Sequence, residues 1–115
     1  MIFEKGEIYF VTLDPSKGSE PKKTRPCIIV SNNNYNQYFN TCIVVPISSS
    51  KKYKTETKYK KSPFFINIKT DKVDGTALLQ HVKSIDLTAR IDGKVISKLS
   101  PSKMNNISNI LKEFY

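Results

Sequence analysis

Short apolar runs separated by polar turns fill the first three quarters of the chain, and that rhythm predicts a β protein. Ile8-Tyr9-Phe10-Val11-Thr12-Leu13 reads as a first strand, opened by Gly6 and closed by the turn signal Asp14-Pro15. Cys27 to Ser31 and Cys42 to Ile47 read as two more, and the unbroken run Cys27-Ile28-Ile29-Val30 marks a strand buried on both faces. The Asn- and Tyr-rich segment Asn32 to Asn40 between them favours turns. Phe64 to Ile68 reads as a further strand, Asp74-Gly75 as a tight turn, and Thr76 to Ile85 as another apolar-rich strand. The period then changes. Ser100 supplies an N-cap and Pro101 a first-turn proline, after which Met104, Ile107, Ile110, Leu111 and Phe114 recur at helical spacing. The expected fold is mainly β, a small antiparallel barrel or sandwich with an amphipathic C-terminal helix that packs on the sheet.

A chain of 115 residues fits one domain, residues 1–115, able to bury roughly two thirds of its unfolded surface without disulfides. Cys27 and Cys42 sit inside apolar runs and read as buried reduced thiols. A bridge between them is geometrically open if their strands are neighbours. No N-terminal signal pattern and no apolar stretch of transmembrane length stand out, so a cytoplasmic setting without membrane attachment is expected.

Charge narrows the partners. Nineteen Lys plus Arg against ten Asp plus Glu give +9, and all but Arg25 and Arg90 of the basic residues are lysine. That balance favours a polyanion. Lys51, Lys52, Lys54, Lys58, Lys60 and Lys61 crowd a segment whose only acid is Glu56, with Tyr53 and Tyr59 interleaved. Lysines beside aromatic rings suit single-stranded nucleic acid, although a solvated lysine loop has the same composition.

The chemistry on offer is limited. One histidine, no close cysteine pair and scattered acids leave no metal site, and no cofactor fingerprint is present. Ser48, His81 and Asp86 can be assembled into a triad only on paper, without a nucleophile-elbow signature. RNA cleavage asks for less, because the substrate's 2′-hydroxyl is the nucleophile. Arg25 offers a fork of donors to phosphate oxygens, and Ser48 a hydroxyl at a strand end. A salt bridge from Arg25 to Glu20, and hydrogen bonding of Ser48 to backbone, account for the same two residues equally well.

Ordered motifs then point to a family. Gly6-Glu7-Ile8-Tyr9, Leu13-Asp14-Pro15, Gly18-Ser19-Glu20, Arg25-Pro26, Val45-Pro46-Ile47-Ser48-Ser49, the run Asp74 to Asp86 and Ala89-Arg90 resemble the MazF/PemK family of toxin endoribonucleases over nearly the whole chain. The least family-like part lies between Ser50 and Pro63. The resemblance implies an SH3-like barrel with a C-terminal helix, a homodimer, and metal-independent, sequence-specific cleavage of single-stranded RNA to 2′,3′-cyclic phosphate and 5′-hydroxyl ends. It implies an antitoxin partner of the MazE/PemI kind with an acidic disordered tail, and DNA binding as the toxin-antitoxin complex. Arg25 falls on the family's catalytic arginine, and Ser48 where the family carries threonine or serine. Gly18, Ser19 and Glu20 fall in the loop that borders the active site, with Lys23, Thr24 and Ser49 beside them as RNA contacts. His81 is a further RNA-contact candidate, with a structural histidine as the alternative. Asn32, Asn36, Tyr53 and Lys54 are candidates by residue type and loop position. Two rival readings share the scaffold or the charge: a non-enzymatic CcdB-like gyrase inhibitor, and a basic single-strand binding module without chemistry.

Overall fold

The computed structural model describes residues 2–12 and 24–114. Among these residues seven strands, all paired antiparallel, form the body: β1 (Glu7–Thr12), β2 (Thr24–Ile29), β3 (Cys42–Ser48), β4 (Phe65–Lys69), β5 (Asp74–Leu78), β6 (Lys83–Ile85) and β7 (Ile91–Lys98). Their order is β4-β5-β3-β2-β1-β7, with β6 also on β3. Among the described residues the α-helices are α1 (Asn33–Tyr38), α2 (Lys52–Thr55), α3 (Thr57–Lys60) and α4 (Leu87–Arg90) in the connections, and the closing α5 (Pro101–Leu111). A mainly β protein with a C-terminal helix is the architecture that the apolar rhythm predicts.

Alternation of side chains puts two cores on the two faces of the sheet. Ile8, Ile28, Val45, Ile47, Ile68 and Ala77 point to one face, where Met104 and Ile107 of α5 cover them. Tyr9, Val11, Cys27, Ile29, Val44 and Ile85 form the other core with Phe3 and Leu87. Residues 27–30 are buried in succession, as an apolar run without alternation requires. Ser100 caps α5 by accepting the Lys103 amide at 3.2 Å, with Pro101 in the first turn.

Several local expectations are corrected. Asn32 to Asn40 is not a plain turn: Asn32 caps α1 through its side chain, and one short polar helix follows. Asp74-Gly75 lies inside β5, and the turn comes earlier, where the Thr70 amide donates to the Val73 carbonyl at 2.7 Å. The stretch Thr76 to Ile85 is broken at Leu79–His81 by a 3-10 turn, so β5 and β6 run in succession along β3. Polar β7 was not legible, because Asp92, Gly93 and Lys94 interrupt its pattern. Gly93 adopts φ +85°, and the β1–β7 register slips between Ile8 and Phe10.

The two cysteines occupy neighbouring strands, yet they are out of register. Cys27 faces Pro46 and Cys42 faces Ile85, so Cys42 lies four positions along β3 from the partner of Cys27. At about 3.3 Å per residue that is about 13 Å, twice the Cα separation a disulfide spans. Both thiols are free and buried.

Candidate active site

The site originates in the β2–β3 ladder. Val30 donates to the Ile43 carbonyl at 2.9 Å, so in this ladder the even-numbered residues of β2 hydrogen-bond to β3. The register Ile28↔Val45 makes Pro26 the next such position, facing Ile47, and proline has no N–H to give. The ladder ends at Cys27↔Pro46. Beyond that point β2 stays on β1, through Arg25↔Val11 and Thr24↔Thr12, whereas β3 goes on with β5, through Ile47↔Ala77 and Ser48↔Thr76. The sheet divides into a seam.

Continuing the interrupted register by two residues sets Arg25 opposite Ser48, on the face that carries Cys27 and Val44. A cleft of about 370 Å³ opens there, lined by Thr24, Arg25, Pro26, Ile47, Ser48, Ser49 and Ser50. Arg25 is half-buried and makes no ion pair among the described residues. The Ser48 Oγ accepts the Ser50 amide at 3.2 Å, which orients the hydroxyl and leaves its own proton free to donate. One planar cation and one hydroxyl donor lining the same cleft are donors of the kind that phosphate oxygens accept.

Thr76, which sequence reasoning did not single out, completes the row. It is 2% exposed, pairs with Ser48 across the strands, and its hydroxyl has no hydrogen-bond partner among the described residues. A hydroxyl in the otherwise apolar run Thr76 to Leu79 was the available signal. Gly75 holds this edge close, because a Cβ there would stand 2.6 Å from both the Ile47 Cγ2 and the Ser48 carbonyl oxygen.

The remaining candidates are distributed unevenly. Thr24 and Ser49 line the cleft with Arg25 and Ser48. Gly18, Ser19, Glu20 and Lys23 lie outside the described residues. Asn32 and Asn36 sit beyond the opposite end of β3, about 20 Å from Ser48 along the strand. The Asn32 Oδ1 accepts the Tyr35 amide at 2.8 Å, and the Asn36 amide nitrogen donates to the Phe3 and Ser31 carbonyls at 3.1 and 3.2 Å. His81 is exposed on the 3-10 turn and is not part of the cleft lining. Tyr53 and Lys54 hold α2 on the sheet: Tyr53 stacks on Phe65 at 5.3 Å, and Lys54 pairs with Asp74. Among the described residues no cluster of His, Cys, Asp or Glu has the makings of a metal site, and no helix is long and apolar enough to cross a membrane.

Fold and site together define a class, a small antiparallel β domain with a cleft lined by an arginine and serines at a strand seam. Comparison with known proteins then supplies the family. The model of the PemK-like, MazF-like toxins of type II toxin-antitoxin systems matches residues 4–115. The endoribonuclease PemK of Escherichia coli is 31% identical over 104 residues, 90% of this chain and 75% of its own. The endoribonuclease MazF of Staphylococcus saprophyticus is 31% identical over 113 residues, 96% of this chain and 88% of its own. A crystal structure of MazE-MazF from Deinococcus radiodurans superposes with a TM-score of 0.79 at 19% identity, covering 99% of this chain and 96% of that one, a likeness of fold. This chain belongs to the PemK/MazF toxin family.

Proposed function

We propose that the protein is the toxin of a type II toxin-antitoxin system, an endoribonuclease that cuts single-stranded RNA at short sequences without a metal and leaves 2′,3′-cyclic phosphate and 5′-hydroxyl ends. The observation that carries this reading is the convergence of Arg25 and Ser48 across the seam, in a chain of the PemK/MazF family. The 2′-oxygen, giving up its proton, attacks the adjacent phosphorus as the bond to the 5′-oxygen breaks and that oxygen takes a proton from solvent to leave as the 5′-hydroxyl, so negative charge grows on the non-bridging oxygens in between. Arg25 neutralises that charge with its planar fork, and Ser48 donates a hydrogen bond to it. Arginine stays protonated and is therefore the electrostatic partner and not the base. Among the described residues the cleft lining offers hydroxyls and a guanidinium but no carboxylate or imidazole to take the 2′-proton.

A homodimer acting in the cytoplasm, restrained by an antitoxin with an acidic tail, fits a chain of net charge +9. The test is incubation of purified protein with a long RNA of known sequence in EDTA, with the cut ends mapped beside Arg25→Ala and Ser48→Ala variants. Discrete cuts at one short motif are expected from the wild type. Each variant keeps its fold and cuts slower by roughly 100-fold or more, the scale of losing one transition-state donor. Intact RNA from a wild-type protein that still arrests growth overturns the reading in favour of a gyrase-type inhibitor.

A further inference from the structure

Residues 51–61 do not hang free from the sheet. Two anchors fasten them. Tyr53, Tyr59 and Phe65 form a closed aromatic cluster, with ring centroids 4.8 to 5.3 Å apart. Lys54 pairs with Asp74, which Lys69 also holds at 3.2 Å. Register partners share a face, so Phe65↔Leu78, Asn67↔Thr76 and Lys69↔Asp74 are three successive rows on one face of β4 and β5. The middle row continues through Thr76 to Ser48. The anchors grip the rows on either side of it, so α2 and α3 sit against the face that carries Ser48, and Thr76 is covered.

The lysines are left over from this docking. Lys54 is engaged, whereas Lys51, Lys52, Lys58, Lys60 and Lys61 are exposed and make no ion pair among the described residues. They begin three residues after Ser48, within about 10 Å of chain. Five cations are thus fixed on the segment that leaves the cleft, none of them in an ion pair among the described residues; Lys52 and Lys58 lie over the Tyr53 and Tyr59 rings at 5.0 Å, and Lys51, Lys60 and Lys61 take no part in the anchoring contacts.

We infer that the 51–61 module is an accessory binding surface for the sugar-phosphate backbone of single-stranded RNA lying outside the cut, an inference that rests on the RNA-cleaving reading for the identity of the strand. Tyr53 and Tyr59 are its buttress and not its base-stacking platform, since their rings already pack on each other and on Phe65. Contacts to backbone carry no sequence information, so the module adds affinity for longer substrates and leaves the cut motif and kcat unchanged.

The test uses fluorescence anisotropy with all-deoxy oligonucleotides, which lack the 2′-hydroxyl and cannot be cut by the proposed route. One is about 20 nucleotides long and one about 5, bracketing the span a small domain covers. The variant carries Lys→Gln at 51, 52, 58, 60 and 61, all exposed positions. For single strands the slope of log K against log salt is about −0.7 per phosphate neutralised, so five contacts contribute about 3.5. Between 50 and 200 mM salt the wild type is expected to lose about 100-fold more affinity for the long strand than the variant does, and the short strand binds both alike. Equal salt slopes on the long strand overturn the inference. Equal weakening of both strands does so too, since it denotes a general field and not a flanking surface. Unchanged oligonucleotide binding with weakened binding of polyglutamate assigns the lysines to an acidic polypeptide and also overturns it. Because nothing is cut in this assay, a wild type that fails to cleave RNA refutes the proposed function without altering the anisotropy result.

Discussion

Gly75→Ala isolates what the meeting of β3 and β5 does for the site. A Cβ there stands 2.6 Å from the Ile47 Cγ2 and 2.6 Å from the Ser48 carbonyl oxygen. Ordinary contact needs more room by roughly 0.8 Å or more, and one of the two atoms in the way is backbone, which yields only by moving the strand. Overpacking of this kind costs about 2 kcal/mol, which lowers the melting temperature of a domain this size by about 8–10 °C. The same retreat carries Ser48 with it, and a misplacement approaching 1 Å at a reacting group reduces turnover by about 10- to 100-fold. Gly93→Ala is the control. Gly93 has φ +85° and nothing within 4 Å of its would-be Cβ, so alanine there meets backbone strain of about 1 kcal/mol without touching the cleft. Melting curves and single-turnover RNA cleavage are compared well below both midpoints. Gly75→Ala should lose stability and rate, Gly93→Ala stability alone. Wild-type cleavage by Gly75→Ala, or equal rate loss per degree in the two variants, refutes the idea that close strand approach places Ser48.

Three further outcomes are expected. Lys54 and Lys69 hold the Asp74 carboxyl below its ordinary range. A lowered folded-state pKa means support present above the unfolded value and lost as pH falls through the folded one. The near-ultraviolet dichroism of the Tyr53, Tyr59 and Phe65 cluster should therefore weaken in acid before global unfolding, and Asp74→Asn should be weakened already at neutral pH; a flat wild-type signal removes the anchor. Burial pushes the Cys27 thiol up to about 12 and raises Cys42 as well, so a thiol reagent at pH 8 should modify both only on unfolding, and mild oxidation should form no internal bridge by mass. Ser100→Ala removes the α5 cap at a cost of about 1 kcal/mol, read as a shift in the urea midpoint at unchanged m.

What the sequence disclosed follows from how local each signal is. Strands β2 and β3 were legible because consecutive apolar residues demand burial on both faces, and α5 because Ser100, Pro101 and the apolar period agree. Helix α1 was not, since its residues are polar throughout and only the Asn32 cap marks its start. Arg25 and Ser48 were singled out by residue type, strand-end position and family motifs, but their meeting depends on a register that no local pattern carries. Thr76 was missed for the same reason, as its importance lies in the strand it faces. Pro26 was the readable clue to the cleft, a missing donor in a buried strand.

The divided sheet has a mechanical consequence. Arg25 travels with β1 and Ser48 with β5, and among the described residues no ladder pair ties 24–26 to 47–48. Changing the gap between guanidinium and hydroxyl therefore ruptures no interstrand hydrogen bond, whereas shifting either group along its own strand ruptures several. The cleft is compliant across the seam and stiff along it, like calipers whose jaws slide on separate rails.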